Sequence, residues 1–219
     1  MAESTGGVIL DDRLTLGEFM ERWLHDSAKG SVKPITFEQY RRQTRLHVIP
    51  VLGSSKLPKL TPAHVQSPYQ RKLDEGLSPT FVRYIHDVIN RALKQALRWR
   101  LVRENVAAAT DPPKPQTKTM SPLDAEQAKR FLDAARGDRL EVLFVVALTA
   151  GSRIGELSGL RWEDLGLDRK TMRVSRTLSR ATEGPRYATP KTGKGRSIAL
   201  TQRVVEALRS HRKCPLKER

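Results

Sequence analysis

The chain has 219 residues, 38% of them hydrophobic, with a mean hydropathy of −0.52; this allows one large domain or two small ones and excludes a disordered polypeptide. Forty Lys/Arg against 24 Asp/Glu give a net charge of +16 and a pI near 10.5, which points to a polyanionic partner, most simply nucleic acid, unless the excess is only a solvated basic surface. Cys214 is the single cysteine, which excludes a disulfide scaffold and a cysteine-rich zinc site and fits a reducing, cytoplasmic setting.

The charge is uneven. From Arg173 onward there are 13 Lys/Arg against 3 Asp/Glu, whereas the first 172 residues hold 27 against 21. Residues 1–13, MAESTGGVILDDR, carry acids where an export signal carries bases, and are expected to be disordered. Thr15 and Glu18 then form a capping-box pattern ahead of Leu16, Phe19, Met20, Trp23 and Leu24, an i, i+3, i+4, i+7, i+8 stripe. Thr36 and Gln39 repeat the pattern ahead of a second helix to about Val48, which presents Arg41, Arg42 and Arg45. A loop, IPVLGSSKLPKL, is expected next. Thr61-Pro62 opens a third helix that Gly76 stops, with a kink or an earlier boundary expected at Pro68.

Ser78-Pro79 starts the longest helix, to about Arg100. Phe81, Val82, Ile85, Val88, Ile89, Ala92, Leu93, Ala96 and Leu97 share one face at 100° per residue, and Arg83, Arg91, Lys94 and Arg98 fall within about 80° on the other. That basic stripe is spaced to follow a phosphate backbone; a solvated bundle face is the other reading.

Thr110 to Met120, TDPPKPQTKTM, has three prolines and no apolar period, so 110–120 reads as a linker between a helical module, 14–109, and a second module, 121–219. Asp124 and Gln127 cap a helix through Ala135. Leu140 to Thr149 is expected to be an almost wholly buried helix, its apolar run from Val142 to Leu148 being far too short to span a bilayer. Ile154 to Leu160 gives a short helix. The period then changes: Thr171–Leu178, Tyr187–Pro190 and Ser197–Leu200 read as strands, with KTGKGR as the hairpin tip joining the last two, and a final helix covers Gln202 to Ser210. The fold class expected is mainly α with a small three-stranded β-sheet.

GKGRS lacks Walker spacing, no GxGxxG or Gly-x-Ser-x-Gly occurs, and the five histidines form no metal-binding pair, so no metal site is expected. Two basic sites remain. Arg153 follows Gly151-Ser152, where a sharp turn aims a guanidinium inward either at a carboxylate, Glu156 or Glu163, or at a phosphate. Lys191 sits at the base of the hairpin, where it is either an ordinary exposed lysine or one that delivers a proton or charge to a bound phosphate, with Lys194 and Arg196 as further candidate DNA contacts.

The succession LTLGEFMERWL, ITFEQYRRQTRLHVIPVLG, LSPTFVRYIHDVINRALKQALRWRLVREN, TAGSRIGELSGLRWEDLGLD and PKTGKGRSIAL resembles the tyrosine recombinases, and among them the phage-type integrases, over nearly the whole chain from Leu14 to His211. The resemblance implies a helical core DNA-binding domain, then the N-terminal part of a catalytic domain of the DNA breaking-rejoining fold, the two forming a C-shaped clamp on double-stranded DNA. It implies that Arg153 binds the scissile phosphate, that Lys191 helps to protonate the leaving 5′ oxygen, and that a tyrosine hydroxyl attacks the phosphodiester without metal or ATP, so no cofactor is expected. It further implies attachment or recombination sites as partners, a homo-oligomer on DNA for the full-length enzyme, no membrane, and a nucleoid-associated setting in a prokaryote or phage.

The sequence departs from that pattern after the hairpin. It has no His-x-x-Arg pair, and its four tyrosines, Tyr40, Tyr69, Tyr84 and Tyr187, all precede Lys191. The expectation is an incomplete enzyme, truncated before His-x-x-Arg and the nucleophile, that binds DNA without cutting it. Two alternatives stay open: a non-enzymatic remnant or regulator that occupies recombination sites, and a general RNA-binding basic protein.

Overall fold

The computed structural model describes residues 12–115, 119–181, 184–190 and 193–213. It divides into two compact units, residues 1–119 and 120–219, each with its own apolar core.

In the first unit, helix α1 (Leu16–Trp23) starts where its cap is built: the Glu18 amide donates to Thr15 Oγ1 at 3.3 Å and the Thr15 amide donates to Glu18 Oε2 at 2.8 Å. Leu16, Phe19, Met20 and Trp23 are buried, each such side chain stabilising the fold by about 1.5–3 kcal/mol. The helix widens into a π turn over Leu24–Ala28, closed by the Lys29 amide donating to Leu24 O, and stops at Gly30, whose φ is +137°.

Helix α2 (Pro34–Gln43) begins before the expected Thr36/Gln39 cap. Proline suits the first turn because it lacks the N–H that would be orphaned there, and it holds Lys33 extended as the cap residue, so Thr36 lies inside the helix. A second π turn follows over Thr44–Val48, in which the Ile49 amide donates to Thr44 O. Helix then resumes over Ile49–Leu52, within the stretch expected to be a loop. Pro50 has no N–H for an α-helical bond to Leu46, and the widened turn accommodates it.

This turn crosses α1 at two glycines, where the Gly17 amide donates to Gly53 O at 3.0 Å. A Cβ on Gly53 would stand 2.4 Å from Ile49 O, a clash with backbone. Gly53→Ala is therefore expected to cost about 1–3 kcal/mol. Urea denaturation tests this, and an unchanged midpoint would refute it.

Helix α3 (Pro62–Asp74) continues through Pro68, so no earlier boundary occurs; Gly76, at φ +88°, ends it with Leu77 N–H donating to Lys72 O. Helix α4 (Pro79–Arg98) is capped by Ser78 and buries Val82, Ile85, Val88, Ile89, Ala92, Leu93 and Ala96. Leu97, expected on that face, is exposed at its edge. His86 is buried beside these residues.

In the second unit, α5 (Ala125–Ala134) carries the Asp124–Gln127 capping box, the Gln127 amide donating to Asp124 Oδ1 at 2.7 Å. Helix α6 (Glu141–Ala150) buries only Val145 and Val146, while Leu148 is exposed and the other apolar residues of its run are half-buried. The expectation of near-complete burial is corrected: the described residues cover one side of an all-round apolar helix. Gly151, at φ +57°, turns the chain into α7 (Ile154–Ser158).

Strands β1 (Leu165–Gly166), β2 (Thr171–Val174) and β5 (Arg196–Ala199) form an antiparallel sheet in the order β1-β2-β5, with Met172 opposite both Leu165 and Ile198. Strands β3 (Thr177–Ala181) and β4 (Gly184–Ala188) pair as a separate antiparallel ribbon. The expected strand Thr171–Leu178 is thus broken at Ser175-Arg176. The expected hairpin of Tyr187–Pro190 with Ser197–Leu200 is not formed, since β4 takes β3 as partner and β5 takes β2. Of the expected tip KTGKGR, Lys191 and Thr192 lie outside the described residues, and Gly193 to Gly195 lead into β5. Gly155 and Gly159 let α7 lie against β3; a Cβ on Gly159 would come within 2.9 Å of Leu178 N. Helix α8 (Gln202–Lys213) closes the core with Val204, Val205 and Leu208. The architecture is mainly α with small antiparallel sheets, and among the described residues no helix is long and apolar enough to cross a membrane.

Candidate nucleic-acid interface

The outer face of α4 and the end of α1 enclose a groove of about 440 Å³ in the first unit. Arg91, Lys94 and Arg98 line it with Trp23, Ser27, Gln95 and one acid, Asp87. Arg91 is the most firmly placed of the three: its Nη1 donates to Tyr40 Oη at 2.9 Å, and its guanidinium stands 5.7 Å from the centre of that ring. Tyr40 in turn stacks on Trp23. Arg83 does not line this groove; it faces Asp87, which does, at 3.5 Å.

Asp87 is the element missed in the stripe. It follows Arg83 and precedes Arg91 by four residues each, so helical geometry places it among the cations, and its i, i+4 spacing was the available signal. On α2 and its continuation, Arg41 pairs with Glu38, Arg42 is exposed, and Arg45 grips Glu21 with both Nε and Nη2, at 2.8 and 2.9 Å. Such exposed pairs contribute little stability, so a phosphate can compete for these arginines at small cost.

In the second unit the centre is a carboxylate. The Glu156 side chain is only 1% exposed, and Arg196 holds it bidentately, Nη1 to Oε1 at 2.9 Å and Nη2 to Oε2 at 2.7 Å. Arg153 adds its backbone amide to Oε2 at 3.0 Å and Nη1 to Oε1 at 3.1 Å. Hydrogen bonds from Arg196, then from Arg153, outweigh burial and hold the Glu156 pKa down to about 2.

Arg153 is therefore not a buried guanidinium. Its side chain is 61% exposed, and the buried member of the pair is the acid. The fork pins β5 to α7 and leaves further guanidinium N–H groups of two adjacent arginines to face an anion. The other expected partner, Glu163, pairs instead with Arg161 and Arg176. Arg161 lies over the Tyr187 ring at 4.8 Å. Lys194 is exposed, and Lys191 lies outside the described residues, as does Cys214. The pairing of Arg196 with Glu156, forty residues apart, had no local sequence signal. Among the described residues no cluster of His, Cys, Asp or Glu is arranged to hold a metal.

These features define a class: a strongly basic, mainly helical protein that joins a helical module to an α/β unit built round an arginine-held carboxylate. The family model for the phage integrase N-terminal SAM-like domain matches residues 15–73, and that for the phage integrase family matches residues 121–214. The chain belongs to the phage integrase family of tyrosine recombinases.

It is 27% identical over 216 residues to a XerC-like tyrosine recombinase of Caldanaerobacter subterraneus subsp. tengcongensis, covering 91% of this chain and 55% of that protein. It is 30% identical over 208 residues to an integrase of Streptomyces ambofaciens, covering 90% and 52%. Its fold matches the Tn1549 transposon integrase, solved in complex with a circular intermediate DNA, with a TM-score of 0.82 and 24% identity over 94% of this chain and 68% of that one. The chain spans about half the length of the curated relatives it matches.

Proposed function

We propose that this chain binds duplex DNA at a recombination site, with the first unit following the backbone through Arg91, Lys94 and Arg98. Arg153 and Arg196 of the second unit face the phosphate at the strand-exchange position. The observation that carries the reading is the groove on α4, where three cations line one concave surface. The DNA-bound state of the Tn1549 relative supports it. With it go a cytoplasmic, nucleoid-associated setting and assembly on DNA as part of a homo-oligomeric recombinase. The roles of Arg41, Arg42, Arg45, Arg83, Lys191 and Lys194 as further contacts belong to the same proposal.

Strand cleavage by this chain alone is not expected. Tyr40 and Tyr69 are buried, Tyr84 donates to Gln39 Oε1 at 2.9 Å, and Tyr187 lies in β4 under Arg161.

The test is binding to labelled duplex DNA and to structured RNA over a salt series, together with a nicked substrate that traps a phosphotyrosine. Six to ten phosphate contacts give a slope of log K against log salt of about −5 to −9. A salt-independent affinity, or equal affinity for the RNA, would refute the DNA reading. A covalent adduct would refute the absence of cleavage.

A further inference from the structure

One buried polar cluster in the first unit lies away from the basic groove. His86 of α4 is 5% exposed; its Nδ1 stands 2.8 Å from Tyr69 Oη on α3 and 3.3 Å from Thr110 Oγ1. Thr110 Oγ1 donates to Ala107 O at 2.8 Å, which leaves the Tyr69 hydroxyl as the donor to a neutral imidazole. One residue on, Asp111 exchanges two hydrogen bonds with the Gln66 side chain of α3: its amide donates to Oε1 at 2.8 Å, and its carbonyl accepts from Nε2 at 3.1 Å. Five hydrogen-bonding groups from α3, α4 and the exit segment thus meet where the chain leaves the helices for its proline-rich stretch.

We propose that Tyr69, His86, Thr110, Gln66 and Asp111 form a clasp that fixes where the chain departs from the first unit, and that a proton taken up by His86 releases it. The clasp favours the neutral ring. Among the described residues no carboxylate bonds to the imidazole: its own helix brings Asp87 and Arg83, which act on it in opposite directions, α3 presents Tyr69, and the exit segment presents Thr110 followed by Asp111. Burial is the largest influence on His86 and pushes its pKa down, so the charged ring is disfavoured in the closed state. Burial pushes Tyr69 up to about 12, which keeps it a phenol and a donor throughout. Because the closed state binds this proton less readily than the open one, closure is full above the ordinary histidine value of about 6.5 and weakens as pH falls below it. The consequence is a connector whose starting point is held at neutral pH and freed in mild acid.

Hydrogen exchange read by mass spectrometry on the whole chain, at about pH 7.5 and 5.5 and corrected for intrinsic rates, tests the clasp through the Thr110 and Asp111 amides. Wild type should lose about ten-fold protection over 106–115 at the lower pH while 88–96 of α4 is unchanged. His86→Gln, which keeps an acceptor but cannot titrate, should show equal protection at both. Gln66→Ala, an exposed change, should free the Asp111 amide at both. Should His86→Gln fail to fold, Tyr69→Phe replaces it, with protection over 106–115 already low at the higher pH. Equal protection of wild type at both pH values, a retained pH effect in His86→Gln, or parallel loss over 88–96 would each overturn the proposal.

Discussion

Replacing Arg91, Lys94 and Arg98 together by alanine is expected to weaken binding to duplex DNA by on the order of 10²-fold at 0.1 M salt, and to make the slope of log K against log salt shallower by about 2–3. The three side chains line one groove on α4, so a backbone that reaches one of them passes the others. Lys94 and Arg98 sit on the exposed surface, so their loss removes charge without opening the core. Arg91 differs, because its contact with Tyr40 fixes the direction of its guanidinium. Arg91→Lys should therefore retain charge and slope yet lose affinity, since an ammonium cannot reproduce the planar fork. Arg83→Ala should have a smaller effect than any member of the triple variant, because Asp87 already offsets part of its charge. Filter-binding or fluorescence titrations at several salt concentrations separate these outcomes. A triple variant that binds with the wild-type slope would show that DNA does not use this face.

Glu156→Gln is expected to destabilise the chain by about 2–3 kcal/mol, the usual worth of charge-assisted hydrogen bonds to a buried ion. The amide keeps the shape of the carboxylate but accepts on one atom only, so the Arg196 fork loses half of its match. Thermal denaturation should show a midpoint lowered by about 10–20 °C for a unit of this size. The pH dependence supplies an independent check. The Glu156 pKa is held at about 2 in the fold against an ordinary 4.5, so between those values the unfolded chain binds more protons. Stability from this centre is complete above about pH 4.5 and is lost as pH falls toward 2. Wild type should lose stability steeply through that window and Glu156→Gln should not. A variant with the wild-type acid limb would show that another carboxylate governs it.

Much of the helical framework was legible because its signals are local. Thr15 with Glu18, Asp124 with Gln127, Thr61-Pro62 and Ser78-Pro79 are starts decided within four residues, and each stands where its spacing puts it. The second helix shows the limit of such reading. Thr36 and Gln39 match a cap pattern, but Lys33-Pro34 upstream fixes the backbone first. Strand pairing was the least legible part: nothing near Tyr187 says whether it faces β3 or β5, since both are short, at five and four residues. At the second centre, the sequence suggested a carboxylate near Arg153 but reversed which partner is buried. The destination of Arg196 depends on a sheet register, not on spacing.

The two π turns in the first unit each lodge one residue more than an α-helix requires, and beyond the second, where helix resumes at Ile49, side chains are advanced by about 100° around the axis. Register here is therefore a matter of counting. Where a homologous helix lacks the surplus residue, the alignment needs a one-position gap inside Thr44–Val48. A gap opened downstream of that turn would set the counterpart of exposed Arg45 against buried Thr44, and would transfer a surface arginine to the core on paper alone.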